Sequence, residues 1–489
     1  MSCESIEVQL PKNWVKASLE DIAEIILGQS PSSSTYNEHG EGLPFYQGKL
    51  EFGKTYPTPQ KWCSEPKKVA EKGDVLISVR APVGPTNVCP EKSCIGRGLA
   101  AIRGFGGIEP FFILQLLRSC EKVIARKGTG TTFSAISGGQ LRGLEIPIPP
   151  LDEQHRIVSK VEELFSFLDA GVESLRKAQA QLKRYRQAVL KHAFEGKLTE
   201  EWRKTHKNEL EPATKLLEHI KQERKKDTKH KELTPLDTSE LPQLPEEWVW
   251  TTIGHLYDIV GGGTPATNVA EYWNGDVPWI TSADIHGLKD VRPQRHITKQ
   301  GIKNSATNLV PEGSLIVVTR VGLGKVALSR TPICFSQDSQ ALVGNSNLIC
   351  PEYALYYLSK AVQIFKYEHR GTTIAGVTKR QLAELLFPLS PISEQHKIIE
   401  EVERRYLVAD EIEKTVEQGI RQSERLRQSI LKAAFEGKLV PQDPDDESAD
   451  KLLERIVAER TKREAEDSVK SNSRKSKTND QLELSRYVK

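Results

Sequence analysis

The chain has 489 residues, 37% hydrophobic and 28% charged, with a formal net charge of +3. That length accommodates two to four domains of ordinary globular composition, and the weak net charge leaves any nucleic-acid binding to local patches. No window holds eighteen consecutive apolar residues and the opening Met1-Ser2-Cys3-Glu4 lacks a basic-then-apolar signal, so a cytoplasmic protein with no membrane span is expected.

In chain order, Leu10-Pro11-Lys12-Asn13-Trp14-Val15 opens a module and Gly28-Gln29-Ser30-Pro31 makes a turn. Val75-Leu76-Ile77-Ser78-Val79, β-branched and led by Gly73, reads as a strand. Phe111 to Leu117 reads as a short helix, and Ile146-Pro147-Ile148-Pro149-Pro150 as an extended exit. A run from Glu153 to Leu198 then reads as one long helix, with Asp152 able to cap its first turn and Gly196 able to stop it. Its apolar residues Ile157, Val161, Leu164, Leu168, Leu175, Leu182, Tyr185 and Val189 recur mostly three or four apart, as a coiled-coil seam requires. Some forty-five residues make a rod of roughly 65–70 Å, which needs a partner. Thr199 to Gln243 is polar and carries a basic cluster at Lys221, Arg224, Lys225, Lys226, Lys229 and Lys231.

Nearly all of this then returns. Trp14 recurs as Trp248 and Gly28 as Gly262, both offset by 234; the strand of Val75 recurs as Leu315-Ile316-Val317-Val318-Thr319, offset by 240. The short helix recurs at Tyr353 to Leu358 and the exit at Phe387-Pro388-Leu389-Ser390-Pro391. The rod returns from Glu394 to Leu439 at 241, with Ser393 in the place of Asp152 and a looser seam of Ile398, Val402, Ala409, Val416, Leu426 and Ile430. Six residues of difference fall between positions 31 and 73 and none inside the rod, so loops vary while the spacer is fixed. A period near 240 is a duplicated module rather than a solenoid repeat. The segments expected are 1–150, a first globular module; 151–200, a long helix; 201–243, a charged linker with a short helix; 244–391, a second module; 392–440, a second long helix; and 441–489, a short helix and disordered tail.

Pro-x-x-Trp, Gly-x-Ser/Thr-Pro, a variable stretch, Pro-x-x-Glu-Gln-x-x-Ile and a long helix ending Ala-Phe-x-Gly-Lys-Leu, all in duplicate, resemble the specificity subunit of type I restriction-modification systems. The resemblance implies an α+β fold: two mixed α/β target-recognition domains separated by two long helices packed as an antiparallel coiled coil, with an internal pseudo-two-fold repeat. It implies a non-catalytic subunit that binds double-stranded DNA at a split target and leaves adenine methylation to two methyltransferase (modification) subunits and ATP-dependent cleavage to nuclease-translocase (restriction) subunits. Independently, two related modules on antiparallel rods suit two half-sites about one DNA turn, or ~34 Å, apart. Differing modules predict an asymmetric target, and duplicated rod surfaces predict two copies of one partner.

Arg80 and Arg320 end equivalent strands before glycine-containing turns, where a guanidinium could hold a phosphate or a guanine edge, or form a structural ion pair. Thr131, Thr132, Thr372 and Thr373 sit in glycine-rich turns near Arg126, Lys127 and Arg370, a composition suited to phosphate as well as to plain turns. In the variable stretches Gln47, Lys49, Thr281, Ser282 and Asp284 have side chains that read base edges, and also those of an ordinary polar surface. Glu153, Gln154, Glu394 and Gln395, in the first helical turn, suit either a capping or packing role or contact with a partner subunit. The seven scattered cysteines form no disulfide framework, and the Cys89/Cys94 pair lacks the second pair a metal site needs. There is no phosphate-binding loop, no Asn/Asp-Pro-Pro-Tyr/Phe and no His-Glu-x-x-His; the lone carboxylate Asp74 has Ser314 as its counterpart in the second copy, and no acidic-x-Lys pair follows it. No cofactor and no metal are expected. The alternative is a coiled-coil adaptor whose modules do not read DNA.

Overall fold

The glycine-led apolar runs become central strands because both of their faces are covered. The computed structural model describes residues 10–128, 135–225, 236–237, 239–365 and 376–462, and the chain divides into two units, Met1–Arg176 with Glu417–Lys489, and Lys177–Val416.

In the first unit a four-stranded antiparallel sheet runs in the order Ala23–Leu27, Leu99–Gly104, Val75–Ser78, Thr86–Val88. Alternation splits its central strand: Val75 and Ile77 pack with Phe112, Ile113, Leu116 and Leu117 of the helix Pro110–Ser119, while Leu76 faces Tyr46 and Ile95 of a second sheet. A strand covered on both sides reads as a continuous apolar run, which is why Val75 to Val79 is legible. The second sheet has five strands, Tyr36–Asn37, Lys61–Cys63, Leu43–Tyr46, Ser93–Ile95 and Val69–Ala70. Val15–Ser18 pairs with the proline-containing exit Glu145–Ile148.

The second unit repeats the plan. Its four-stranded sheet runs Asp258–Gly261, Ser339–Val343, Leu315–Val318, Val326–Leu328, with Leu315 and Val317 toward the helix Pro351–Ala361 and Ile316 and Val318 toward Ile280 and Phe335. The second sheet here has three strands, Arg295–Ile297, Trp273–Ile280 and Cys334–Phe335, and Val249–Thr252 pairs with the exit Leu386–Leu389.

The long helices are Leu151–Phe194 and Ile392–Phe435, 44 residues each. They are antiparallel within each unit. In the first, Asp169 pairs with Arg427, and Leu175 lies against Gly419. In the second, Arg186 pairs with Asp410 at 2.5 Å, and Thr199, just past the helix, bonds Glu394 at 2.7 Å. These ion pairs are one interaction made twice, since 410 − 169 and 427 − 186 are both 241. Each unit also takes the end of the other copy's helix into its core. Phe435 meets Phe112 edge-on at 5.7 Å in the first unit, and Phe194 meets Tyr353 and Tyr357 at 5.2 and 5.1 Å in the second.

Two expectations are corrected. Asp152 and Ser393 do not cap: the helices already begin at Leu151 and Ile392, with the amides of Gln154 and Gln395 bonded to the carbonyls of Pro150 and Pro391 at 2.9 Å. The prolines, having no amide hydrogen, suit that place. Tyr185 and Leu426 leave the seam, being 41% and 44% exposed. Short helices come after both rods, at Ala213–Lys225 and 449–462. The charged tail from 463 on lies outside the described residues. Among the described residues no helix is long and apolar enough to cross a membrane.

Candidate nucleic-acid interface and the joint beneath it

The repeated motifs meet at one joint in each unit. In the first, Gly437 ends the second rod in left-handed conformation (φ +70°), and Lys438 N–H bonds the carbonyl of Ala433 at 2.9 Å, a Schellman closure. Pro11 sits against Gly437 so closely that a Cβ there would lie 2.3 Å from the proline ring. Trp14 donates its indole N–H to Glu153 at 2.9 Å, and Gln442 donates to the other carboxylate oxygen at 2.6 Å. In the second unit a Cβ on Gly196 (φ +70°) would lie 2.4 Å from Pro245 in the same way, and Trp248 donates to Glu394 at 2.8 Å. Here the other oxygen takes Thr199 at 2.7 Å and Arg203 at 3.0 Å. The joint thus holds a neutral amide in one copy and a guanidinium in the other.

Glu153, Gln154, Glu394 and Gln395 are all buried, 0–1% exposed. Gln154 and Gln395 donate to the carbonyls of Pro149 and Ser390 at 3.0 and 2.8 Å, and Gln395 also accepts from the amide of Cys350. These four side chains are engaged inside their own units, in the packing role the sequence also allows. Burial pushes the Glu153 carboxyl above its ordinary range, opposed by the bonds from Trp14 and Gln442. Replacing Gly437 or Gly196 with alanine is expected to cost about 2 kcal/mol or more, from the left-handed backbone and the proline contact together, read as a lowered unfolding temperature.

In each module several of the candidate residues lie close to one another in the fold. Gln47 comes directly after the strand Leu43–Tyr46, and Lys49 lies in the next turn; both are exposed. Gly98 passes under Gln47, where a Cβ would meet its carbonyl at 2.2 Å, and the carbonyl of Gly98 takes the amide of Val79 at 2.9 Å. Arg80 is exposed two residues past its strand and bridges to Ala135. In the second module Thr281 and Ser282 come after the equivalent strand, Ser282 lies beside Gly322, and Arg320 is exposed with its amide on the carbonyl of Asp338. The turns holding Thr131 and Thr132, and those holding Arg370, Thr372 and Thr373, lie outside the described residues. A few residues further along the chain, Ile136 and Val377 donate to the carbonyls of Val79 and Thr319 at 3.0 and 2.8 Å, beside Arg80 and Arg320. Arg126 and Lys127 fall in the last turn of the helix Glu121–Lys127, Arg126 exposed and Lys127 half-buried.

Asp284 is 7% exposed and works internally, accepting from the amide and hydroxyl of Thr281 at 2.7 and 2.8 Å and from the amide of Gln294 at 3.2 Å. Asp74 is likewise occupied, held by both arms of Arg103 at 2.9 and 2.8 Å. Cys63, Cys89, Cys94, Cys334 and Cys350 are buried free thiols. Arg97, an exposed side chain next to Gly98, stands at the register of Gln337 in the second module, also exposed.

Two α+β modules with one strand plan, each seated on the paired ends of two long antiparallel helices, define a tandem-module class in which a common frame presents two different edges. The family model described as "Type I restriction modification DNA specificity domain" matches residues 11–183 and 245–422, and the chain belongs to that family. It is 26% identical to the type I restriction enzyme EcoDI specificity subunit of Escherichia coli over 472 residues, covering 92% of this chain and 96% of that one. It is 25% identical to the EcoBI specificity subunit of the same species, covering 92% of each. With the putative MjaX specificity subunit of Methanocaldococcus jannaschii it shares 40% identity over 193 residues, 39% of this chain and 44% of that one. The fold is shared with a solved chain of the type I R-M system (TM-score 0.63, 20% identity, 88% of this chain, 100% of that one). The HsdS subunit from Thermoanaerobacter tengcongensis shares it too (TM-score 0.51, 20% identity, 88% and 98%). Membership does not favour the adaptor alternative.

Proposed function

We propose that this chain is the non-catalytic DNA-reading subunit of a cytoplasmic type I restriction-modification complex. The first module reads one half of a split, asymmetric target and the second module reads the other. The observation that carries this is one plan built twice with different side chains at equivalent positions, exposed Arg97 against exposed Gln337 and exposed Gln47 against half-buried Thr281. Two differing edges on one shared plan suit two different half-sites of one duplex.

Arg80 and Arg320 keep one residue type at one register, which suits a phosphate contact in both halves. Two methyltransferase subunits dock on the rods, where exposed apolar residues recur at the 241 offset: Phe167 with Val408, and Tyr185 with Leu426. Nuclease-translocase subunits join through that assembly. With the methyltransferase complex on a duplex carrying its target, Arg80→Ala and Arg320→Ala are each expected to weaken binding evenly across sequences and to lower the salt slope by about one. Titration from low to high salt checks this. Sequence-selective binding absent from the wild-type complex would favour an adaptor.

A further inference from the structure

The register of the second sheets shows a correspondence that the residue types hide. In the first module Leu43, Pro44 and Phe45 face Cys63, Trp62 and Lys61 across an antiparallel pair. In the second, Val277, Pro278 and Trp279 face Ile297, His296 and Arg295. Every one of these six positions is offset by 234, so the six-residue length difference falls after Cys63. The two modules therefore carry the same two-stranded ribbon.

Its inner positions are core: Cys63 and Ile297 are fully buried, and Phe45 and Trp279 nearly so. At the rim of that same face Lys61 and Arg295 are exposed; on the opposite face His296 is exposed, Trp62 half-buried and Pro44 buried. In the second module the ribbon borders an open cleft of about 690 Å³ lined by Trp273, Asn274, Gln294, Arg295 and His296 among others. The Arg295 guanidinium lies over the Trp273 ring, 5.7 Å from its centroid, and has no ion pair among the described residues. The strand is bulged between Trp273 and Val277. At the bulge Asn274 has φ +60°, the one non-glycine residue with positive φ among those described. Backbone held in that region, on a bulge that re-aims side chains, belongs to places where orientation matters. Asp284 fixes the approach to this strand, its carbonyl taking the amide of Arg292 and its carboxylate that of Gln294.

We propose that these ribbons are the base-reading elements, each entering the major groove of its half-site. Lys61 and Trp62 set specificity in the first half, and Arg295 and His296 set it in the second. A two-stranded ribbon fits that groove, and arginine or lysine there recognises the O6 and N7 of guanine. Stacking on Trp273 leaves the guanidinium planar, presented and without a competing carboxylate. Asp284 is then a positioning residue that holds the ribbon. This inference rests on the function proposed above and names the residues that carry it.

The test maps N6-methyladenine in a methylation-deficient host expressing the full chain with its methyltransferase, comparing wild type with Lys61→Ala and Arg295→Ala. Thermal unfolding checks that each variant is folded, as exposure of both side chains leads one to expect. Arg295→Ala should lose tenfold or more of the preference at one G·C pair in one half of the motif and leave the other half intact. Lys61→Ala should do the same in the opposite half. An unchanged motif in both halves, whether or not methylation falls evenly, overturns the ribbon assignment. A wild-type complex that yields no split motif overturns the functional reading instead, and the assignment with it.

Discussion

Glu394→Gln should lower the stability of its unit by about 3–5 kcal/mol, whereas Glu153→Gln should cost about 1 kcal/mol or less. The two carboxylates hold equivalent tryptophans, but their second partners differ in kind. Glu394 is fully buried and pairs with Arg203, whose side chain is 12% exposed, so an amide there deprives the guanidinium of its ion-pair partner, with only the exposed Glu200 nearby, and leaves Thr199 competing for the single remaining carbonyl. Glu153 meets Gln442, an amide that can turn its own carbonyl toward the new amide, leaving Trp14 its acceptor. Calorimetry should show a fall of roughly 6–20 °C for the first and no more than about 4 °C for the second. Equal losses would mean that Arg203 does not depend on Glu394. Acidity gives a second reading. Because the folded state holds the Glu153 proton more tightly than the unfolded chain, the stability that proton confers is complete below the ordinary value of 4.5 and is lost as pH rises through the raised folded value. Glu153→Gln should abolish that dependence.

The second large effect concerns assembly. Phe167→Asp combined with Val408→Asp should abolish stable binding of the methyltransferase, weakening each contact by about 100-fold or more, with the unfolding temperature unchanged. Phe167 is 70% exposed and Val408 55%, so neither contributes to its own unit's core. An aromatic anchor on a protein-binding face carries a large share of the affinity, and a carboxylate desolvated in its place is costly. Because the two positions are equivalent by the 241 offset, Phe167→Asp alone should leave one partner bound. Native mass measurement would show two partner copies on the wild type, one on the single variant and none on the double. An intact assembly of the double variant would place the docking face elsewhere on the rods.

Much of this fold is legible because duplication supplies an internal comparison. A rod kept to the residue through 241 positions, glycine stops at Gly196 and Gly437, and two-sided strands at Val75 and Leu315 all carry strong local signals. Local signal fails where the partner is distant. Nothing near Trp14 announces that it bonds Glu153, 139 residues on, and no periodicity reveals that each unit borrows the far end of the other copy's helix. Tyr185 fits the apolar spacing yet is exposed, since spacing alone does not say which residues of a helix the partner helix covers. The ribbon is hidden because Lys61-Trp62-Cys63 and Arg295-His296-Ile297 share no residue; only pairing register aligns them. Asp284 looks like a base reader because its residue type suits one, and burial shows the carboxylate committed to backbone amides.

The most direct test of DNA reading by this chain is genome-wide mapping of N6-methyladenine in a methylation-deficient host that expresses the neighbouring methyltransferase with and without it. One split, asymmetric motif is expected, appearing only when the chain is present. Complex formation without any such motif would contradict the assigned role.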